Sequence, residues 1–210
     1  MEKLSTVKAF KNIIFDLGGV LLDIDYQATS TAFTQLGVAE FDALFSQFKS
    51  NDLFEKLETG TISDADFYAT LQAYCKPGTT IQEMENAWNA MLGTFRMDSL
   101  NKLVALSKQY PVYLLSNTNA IHLRAFQQSF TAQTGIKDLN VYFEKAYYSH
   151  LIGKRKPYAA TYRAVLADAG LQASETLFID DSENNILGAQ EAGLQTHLLL
   201  STERLETLQW

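Results

Sequence analysis

Three residue types are scarce in this chain of 210 residues: one cysteine (Cys75), three prolines (Pro77, Pro111, Pro157) and three histidines. A lone thiol forms no intramolecular disulfide and no zinc cluster, which fits a reducing cytoplasm. Long apolar runs are also missing. None approaches the ~18–20 residues of a membrane span. The start, Met1–Lys8, lacks the apolar stretch of a secretory leader. Positive charge is in deficit, with 17 Lys and Arg against 24 Asp and Glu, a net charge of −7. A broad surface for nucleic-acid phosphates needs a basic face. Neither a nucleic acid nor a membrane is therefore expected as a partner. With 47% hydrophobic and 20% charged residues, the chain is not disordered. An acidic protein that holds an anionic substrate must do so with local cations, backbone N–H groups or a metal.

Two textures alternate along the chain. Short apolar runs cover 12–16, 112–116, 176–180 and 195–200, with a weaker one at 146–149. Runs of this length bounded by polar residues fit strands buried on both faces. Helical spacing lies between them. Leu100, Leu103, Val104 and Ser107 form one face, with Asp98 as the expected N-cap. Tyr162, Val165, Leu166 and Ala169 form another, with Pro157 in the first turn and Gly170 at the stop. Strand–helix alternation predicts an α/β fold with a Rossmann-like parallel sheet.

The stretch from about 27 to 95 shows no strand pattern. Its apolar faces are Phe41, Leu44, Phe45 and Phe48; then Phe67, Leu71 and Tyr74; then Met84, Trp88 and Met91. Ser63-x-x-Asp66 and Thr80-x-x-Glu83 precede the second and third as capping boxes. Gly37, Gly60 and Pro77-Gly78 separate the segments. This predicts an all-helical cap over 26–96, inserted into a core of 1–25 and 97–210.

In a parallel sheet, ligands sit beyond the carboxyl ends of the strands. The strand ends read Asp16, Ser116 and Asp180-Asp181. Asp16-Leu17-Gly18-Gly19-Val20 follows the first strand, and its glycines leave backbone N–H groups accessible to an anion. Ser116-Asn117-Thr118-Asn119 opens a helix, where a hydroxyl and N–H groups hold a phosphate or simply cap the helix. Lys154-Arg155-Lys156-Pro157 is the only run of three adjacent cations. Adjacent strand-end carboxylates repel each other unless a cation lies near, and oxygen ligands of this kind suit Mg²⁺. Among the histidines, His122 lies one turn into the helix after Ser116, while His150 and His197 read as structural and core residues.

The chain resembles haloacid dehalogenase (HAD) superfamily hydrolases over essentially its whole length. Four motifs carry the resemblance, in order: Asp16 in Phe-Asp-Leu-Gly-Gly-Val, Ser116 in Leu-Leu-Ser-Asn-Thr-Asn, Lys156 in Arg-Lys-Pro, and Asp180-Asp181 in Phe-Ile-Asp-Asp-Ser-x-x-Asn-x-x-Gly-Ala. The long form around Asp16, through Asp23 and Asp25, is similar to bacterial α-D-glucose-1-phosphate phosphatases and, more distantly, to the phosphatase domain of soluble epoxide hydrolase.

The resemblance implies a Mg²⁺-dependent phosphomonoesterase for a small phosphorylated metabolite, a sugar phosphate such as a sugar 1-phosphate. Asp16 would form an aspartyl-phosphate. Leu17, Gly18, Ser116 and Asn117 would hold the phosphoryl oxygens, and Lys156 would neutralise nucleophile and phosphate together. Asp16, the Gly18 carbonyl, Asp180 and Asp181 would hold Mg²⁺. One position departs from the pattern: family phosphatases usually carry an acid two residues after the nucleophile, and Gly18 stands there. Two other readings follow, a weakly catalytic regulatory protein and, with less support, a 2-haloacid dehalogenase. If a different group serves as acid and base, Asp23, Asp25 and His122 are the sequence's candidates.

Overall fold

The computed structural model describes residues 9–39, 41 and 52–208. Five parallel strands form the central sheet: β1 Asn12–Phe15, β4 Val112–Ser116, β5 Lys145–Tyr148, β6 Thr176–Asp180 and β7 Gln195–Leu198. Their order is β5-β4-β1-β6-β7. β1 pairs in parallel with β4 on one side and β6 on the other, so the strand order reverses around it. That crevice is where ligands bind in open α/β sheets.

The apolar runs are explained by burial on both faces. Ile13 and Phe15 of β1 point into one core with Leu114, Leu177 and Ile179. Ile14 points into the other with Leu115 and Phe178. Helices α5 Met97–Ser107 and α6 Ala120–Thr134 cover the first face through Leu100, Leu103, Phe126 and Phe130. Helices α8 Ala159–Ala169 and α9 Glu183–Glu191 cover the second through Tyr162, Val165, Leu166 and Ile186. A short helix, α7 Ser149–Ile152, follows β5.

Between β2 Leu22–Ile24 and β3 Leu92–Phe95 lie helices α1 Tyr26–Gln35, α2 Asp52–Glu58, α3 Asp64–Gln72 and α4 Ile81–Asn89. Their shared core is aromatic. Phe33 stacks on Phe41 at 4.4 Å, Phe54 on Trp88 at 5.3 Å, and Phe67 tilts against Trp88 at 5.1 Å. Both capping boxes form as their sequences require, at Ser63/Asp66 and Thr80/Glu83.

Several sequence expectations change. β3 lies where no strand is expected: Leu-Gly-Thr-Phe is short and half-buried, and it is a strand because it pairs antiparallel with β2. Asp98 is in the first turn of α5, whose N-cap is Arg96, a residue that makes no side-chain cap. Pro157 precedes α8 rather than joining its first turn, while Gly170 does end it in the left-handed conformation. Tyr74 is exposed, beyond the end of α3. His197 is a half-buried residue of β7 rather than part of a core cluster; it lies 3.7 Å from Glu203. Leu44, Phe45 and Phe48 lie outside the described residues. No helix among the described residues is long and apolar enough to cross a membrane.

Candidate active site

Asp16 is the first residue after β1, and the chain turns sharply behind it. Leu21 and Leu22 donate backbone bonds to the Leu17 carbonyl at 2.8 and 2.9 Å, and Gly19 donates to the Leu22 carbonyl at 2.8 Å. Gly19 has φ +67°, and a Cβ on it would lie 1.9 Å from Asp181 Oδ2. Glycine there lets the loop and the Asp181 carboxylate share one space. Arg96 clasps the loop from outside. Its guanidinium donates to the Gly19 carbonyl and, through Nε, to Asp23 Oδ1 at 2.7 Å.

Lys156 is the hub. It is 1% exposed, and its Nζ lies 2.7 Å from Asp16 Oδ1 and 2.7 Å from Asp180 Oδ2. Asp180, fully buried at the end of β6, also accepts from Ser182 N at 2.8 Å and Asn185 Nδ2 at 3.0 Å. Asn117 locks the lysine's backbone. Its Nδ2 donates to the Lys156 carbonyl at 3.0 Å, and its Oδ1 accepts from Lys156 N at 2.9 Å. The ends of β1 and β6 thus meet on one ammonium group, and the loop after β4 holds the backbone that carries it.

Three carboxylates share this edge. Ligand oxygens of Asp16, Asp180 and Asp181 lie within 4.8 Å of one another. Burial, then repulsion from Asp180, pushes Asp16 up to about 8 against the pull of Lys156. The same two causes raise Asp181 to about 6. Burial opposes the charge of Lys156, but Asp16 and Asp180 outweigh it and hold its pKa above the usual lysine value. The cluster is short of positive charge.

A cavity of about 330 Å³ opens over these residues, between the sheet edge and helices α1, α2 and α4. Every site residue expected from the sequence lines it except Asp180, which is sealed beneath Lys156 and Asn185. Ser116 is buried at the end of β4 and does not cap α6; Asn119 does, accepting from His122 N at 2.9 Å. His122 reaches the cavity wall with both ring nitrogens engaged. Nδ1 faces Asn119 Nδ2 at 3.2 Å, Nε2 faces the Trp88 carbonyl at 3.1 Å, and the ring stacks on Trp88 at 4.8 Å. Burial lowers its pKa to about 4, so it is neutral. Asp23 is held by Arg96, and Asp25 caps α1. None of the three proposed substitutes for Gly18 offers an acid to the cavity.

The cavity also contains residues that the sequence did not single out: Tyr26, Glu55, Glu58 and Tyr158. Arg155, noted only as part of the cationic run, reaches up to α2, with Nε 2.9 Å from Glu58 Oε2 and Nη1 3.9 Å from Glu55 Oε2. No motif marks these positions, because they enter the site only when the helices pack over the sheet.

Such a site, with acids and a buried lysine at the switch point of a parallel sheet beneath helices, defines a hydrolase class. The chain belongs to the haloacid dehalogenase-like hydrolases, whose pattern matches residues 10–193. It is 35% identical over 187 residues to a D-ribitol-5-phosphate phosphatase of Bacteroides thetaiotaomicron, covering 89% of this chain and 90% of the relative. A wild-type HAD family enzyme of the same species, solved with magnesium and inorganic phosphate, superposes with a TM-score of 0.80 at 32% identity, covering 93% of this chain and 96% of that one. A HAD-like hydrolase of Porphyromonas gingivalis gives 0.84 at 31% identity, covering 93% and 94%.

Proposed function

We propose that the chain is a Mg²⁺-dependent phosphomonoesterase for a small phosphorylated polyol or sugar, with residues 26–96 acting as a cap on the core. The observation that carries this reading is the Lys156 ammonium placed 2.7 Å from both Asp16 and Asp180 at the cavity floor. Phosphoryl transfer needs positioning and charge neutralisation more than elaborate covalent machinery. Asp16 attacks phosphorus and carries the phosphoryl group. Lys156 offsets the charge of Asp16 and the incoming phosphate. Ser116 and the N–H of Asn117 orient phosphoryl oxygens, and water then releases phosphate from Asp16.

A hard divalent cation fits the donor set. Three carboxylates within 4.8 Å of one another offer oxygen ligands; burial and then repulsion from Asp180 raise the pKa values of Asp16 and Asp181, and a cation relieves both effects. Asp16, Asp181 and the Gly18 carbonyl would hold Mg²⁺, which supplies charge neutralisation at the phosphate. Asp180 belongs to this group by position, but Lys156, Asn185 and Ser182 already engage its oxygens, so its part is to position Lys156.

Cavity size and charge narrow the substrate. About 330 Å³ is at the small end of ligand cavities (~300–1,000 Å³). Glu55 and Glu58 overhang it and disfavour a second anionic group on the substrate. A neutral polyhydroxy leaving group fits, as in the relative's ribitol 5-phosphate. The test is a phosphatase screen with Mg²⁺ over pentitol phosphates, sugar 1- and 6-phosphates, bisphosphates and phosphorylated carboxylic acids. Turnover of the monophosphorylated polyols or sugars, lost in chelator and reduced more than ~10-fold by Asp16→Asn, is expected, because a neutral amide is a poor nucleophile. Turnover that persists in chelator points to dehalogenase-type chemistry. No turnover of any ester points to the regulatory reading.

A further inference from the structure

Gly18 leaves an unanswered chemical need: a group that protonates the leaving oxygen and later activates water. Asp23 is tied to Arg96, Asp25 to the start of α1, and both nitrogens of His122 are engaged. Among the described residues, the carboxylates that line the cavity besides Asp16 and Asp181 are Glu55 and Glu58. Of these, Glu58 is the more enclosed, with a side chain 19% exposed against 42% for Glu55. It sits at the last residue of α2. Immediately after it, the chain turns at Gly60, where φ is +67° and an added Cβ would lie 2.3 Å from the His150 carbonyl oxygen. That contact fixes the end of α2 against α7.

We propose that Glu58, reaching down from the cap, is the general acid and base of the phosphatase reaction, in place of the acid missing at Gly18. The assignment rests on the phosphatase reading above. Arg155 holds the Glu58 carboxylate at 2.9 Å, and Arg155 is the neighbour of Lys156, so the cap carboxylate is registered to the catalytic floor. The groups facing Glu58 are Arg155, Glu55, Lys156 and the hydroxyl of Tyr26, which lies among Asp181, Asp16 and Glu58. Burial raises the Glu58 pKa and Arg155 opposes it. That direction moves a carboxyl toward neutral pH, where a shared acid and base works best.

In the first half-reaction, an Asp16 oxygen forms a bond to phosphorus while the ester O–P bond breaks, and the leaving oxygen takes the proton of the Glu58 carboxylic acid. In the second, the Glu58 carboxylate takes a proton from water as its oxygen bonds to phosphorus. The bond from Asp16 to phosphorus then breaks, inorganic phosphate leaves, and Glu58 is again protonated. The arrangement also makes activity depend on cap closure, since Glu58 belongs to α2 and Asp16 to the sheet.

The test is rapid mixing of the Mg²⁺-loaded enzyme with an aryl phosphate and with a polyol phosphate. Wild type is expected to release aryl oxide linearly. Glu58→Gln is expected to give a burst of about one equivalent followed by a phase ~10²-fold slower or more, and to lose still more with the polyol phosphate, whose alkoxide leaves poorly. Glu58→Ala, with its fold checked by thermal unfolding, is expected to show the same slow phase, and added formate is expected to speed it. Unimpaired turnover by Glu58→Gln overturns the proposal while leaving the phosphatase reading intact. A slow phase in Glu58→Ala that formate does not speed also overturns it, and reduces Glu58 to a support for Arg155. Wild-type protein that turns over no phosphate ester overturns the phosphatase reading itself, and this assignment with it.

Discussion

Gly19 is the residue on which the geometry of the acidic cluster is most exposed to change. Its φ of +67° already costs an alanine about 1–2 kcal/mol, and the new Cβ would meet Asp181 Oδ2 at 1.9 Å. The neighbouring glycine is different: Gly18 has no positive φ, and its Cβ would meet only the Ile24 side chain, nearest at Cγ1, 3.0 Å. Gly19→Ala is therefore expected to lower stability by at least about 1 kcal/mol and to displace the Asp181 carboxylate. Its Mg²⁺ requirement should rise well above that of the parent. Thermal unfolding and a Mg²⁺ titration of turnover check both effects, and an unchanged Mg²⁺ requirement would show that Asp181 does not need that space. This residue was legible as a turn glycine in Asp16-Leu17-Gly18-Gly19. Its clash partner, 162 positions later, was not.

At the scale of elements, α9 and the segment before α8 show how helix packing places a side chain. Gly188 lies on the face of α9 that abuts Pro157; a Cβ there would lie 1.8 Å from the Pro157 carbonyl oxygen. Helix propensity alone says that Gly188→Ala stabilises by up to ~1 kcal/mol. Overpacking against backbone costs ~1–3 kcal/mol and cannot be relieved by a rotamer change. Packing wins, so the variant is expected to be less stable, and to turn over more slowly because Pro157 carries Lys156 with it. A more stable variant with full turnover would show that α9 shifts freely. Helices α3, α4, α5 and α8 were readable from their 3.6-residue periodicity, and the capping boxes from four residues each. β2 and β3 were not readable, because each is a strand only through the other, across 67 intervening residues between Ile24 and Leu92.

For the whole molecule, the junction between the helical insert and the sheet runs through one imidazole. His122 on α6 stacks on Trp88 of α4 and bonds its carbonyl, and a run of stacked and tilted rings continues from Trp88 through Phe54 and Phe67. Its pKa is lowered to about 4 from 6.5 by burial, so the unfolded chain binds more protons between those values. Stability from this group is complete above about pH 6.5 and is lost as pH falls toward 4. The loss by pH 5 is on the order of 2 kcal/mol. Asp16 and Asp181, whose pKa values are raised, act in the opposite sense and gain stability as pH falls over the same window. The His122 share is therefore read as the difference between wild type and His122→Gln in urea unfolding at pH 7.5 and pH 5: the advantage of wild type is expected to shrink at pH 5, and an advantage independent of pH would place the sensitivity elsewhere. The sequence by itself determined the parallel core and the strand-end acids and lysine, because those signals are local: apolar runs of four or five residues, each closed by a polar group. It also fixed the helical character of the insert. It took the packed fold to show that Glu55 and Glu58 line the cavity, that Asp180 lies 2.7 Å from Lys156, and that His122 is a neutral joint. Each of those depends on contacts between segments far apart in the chain, and no local spacing encodes them.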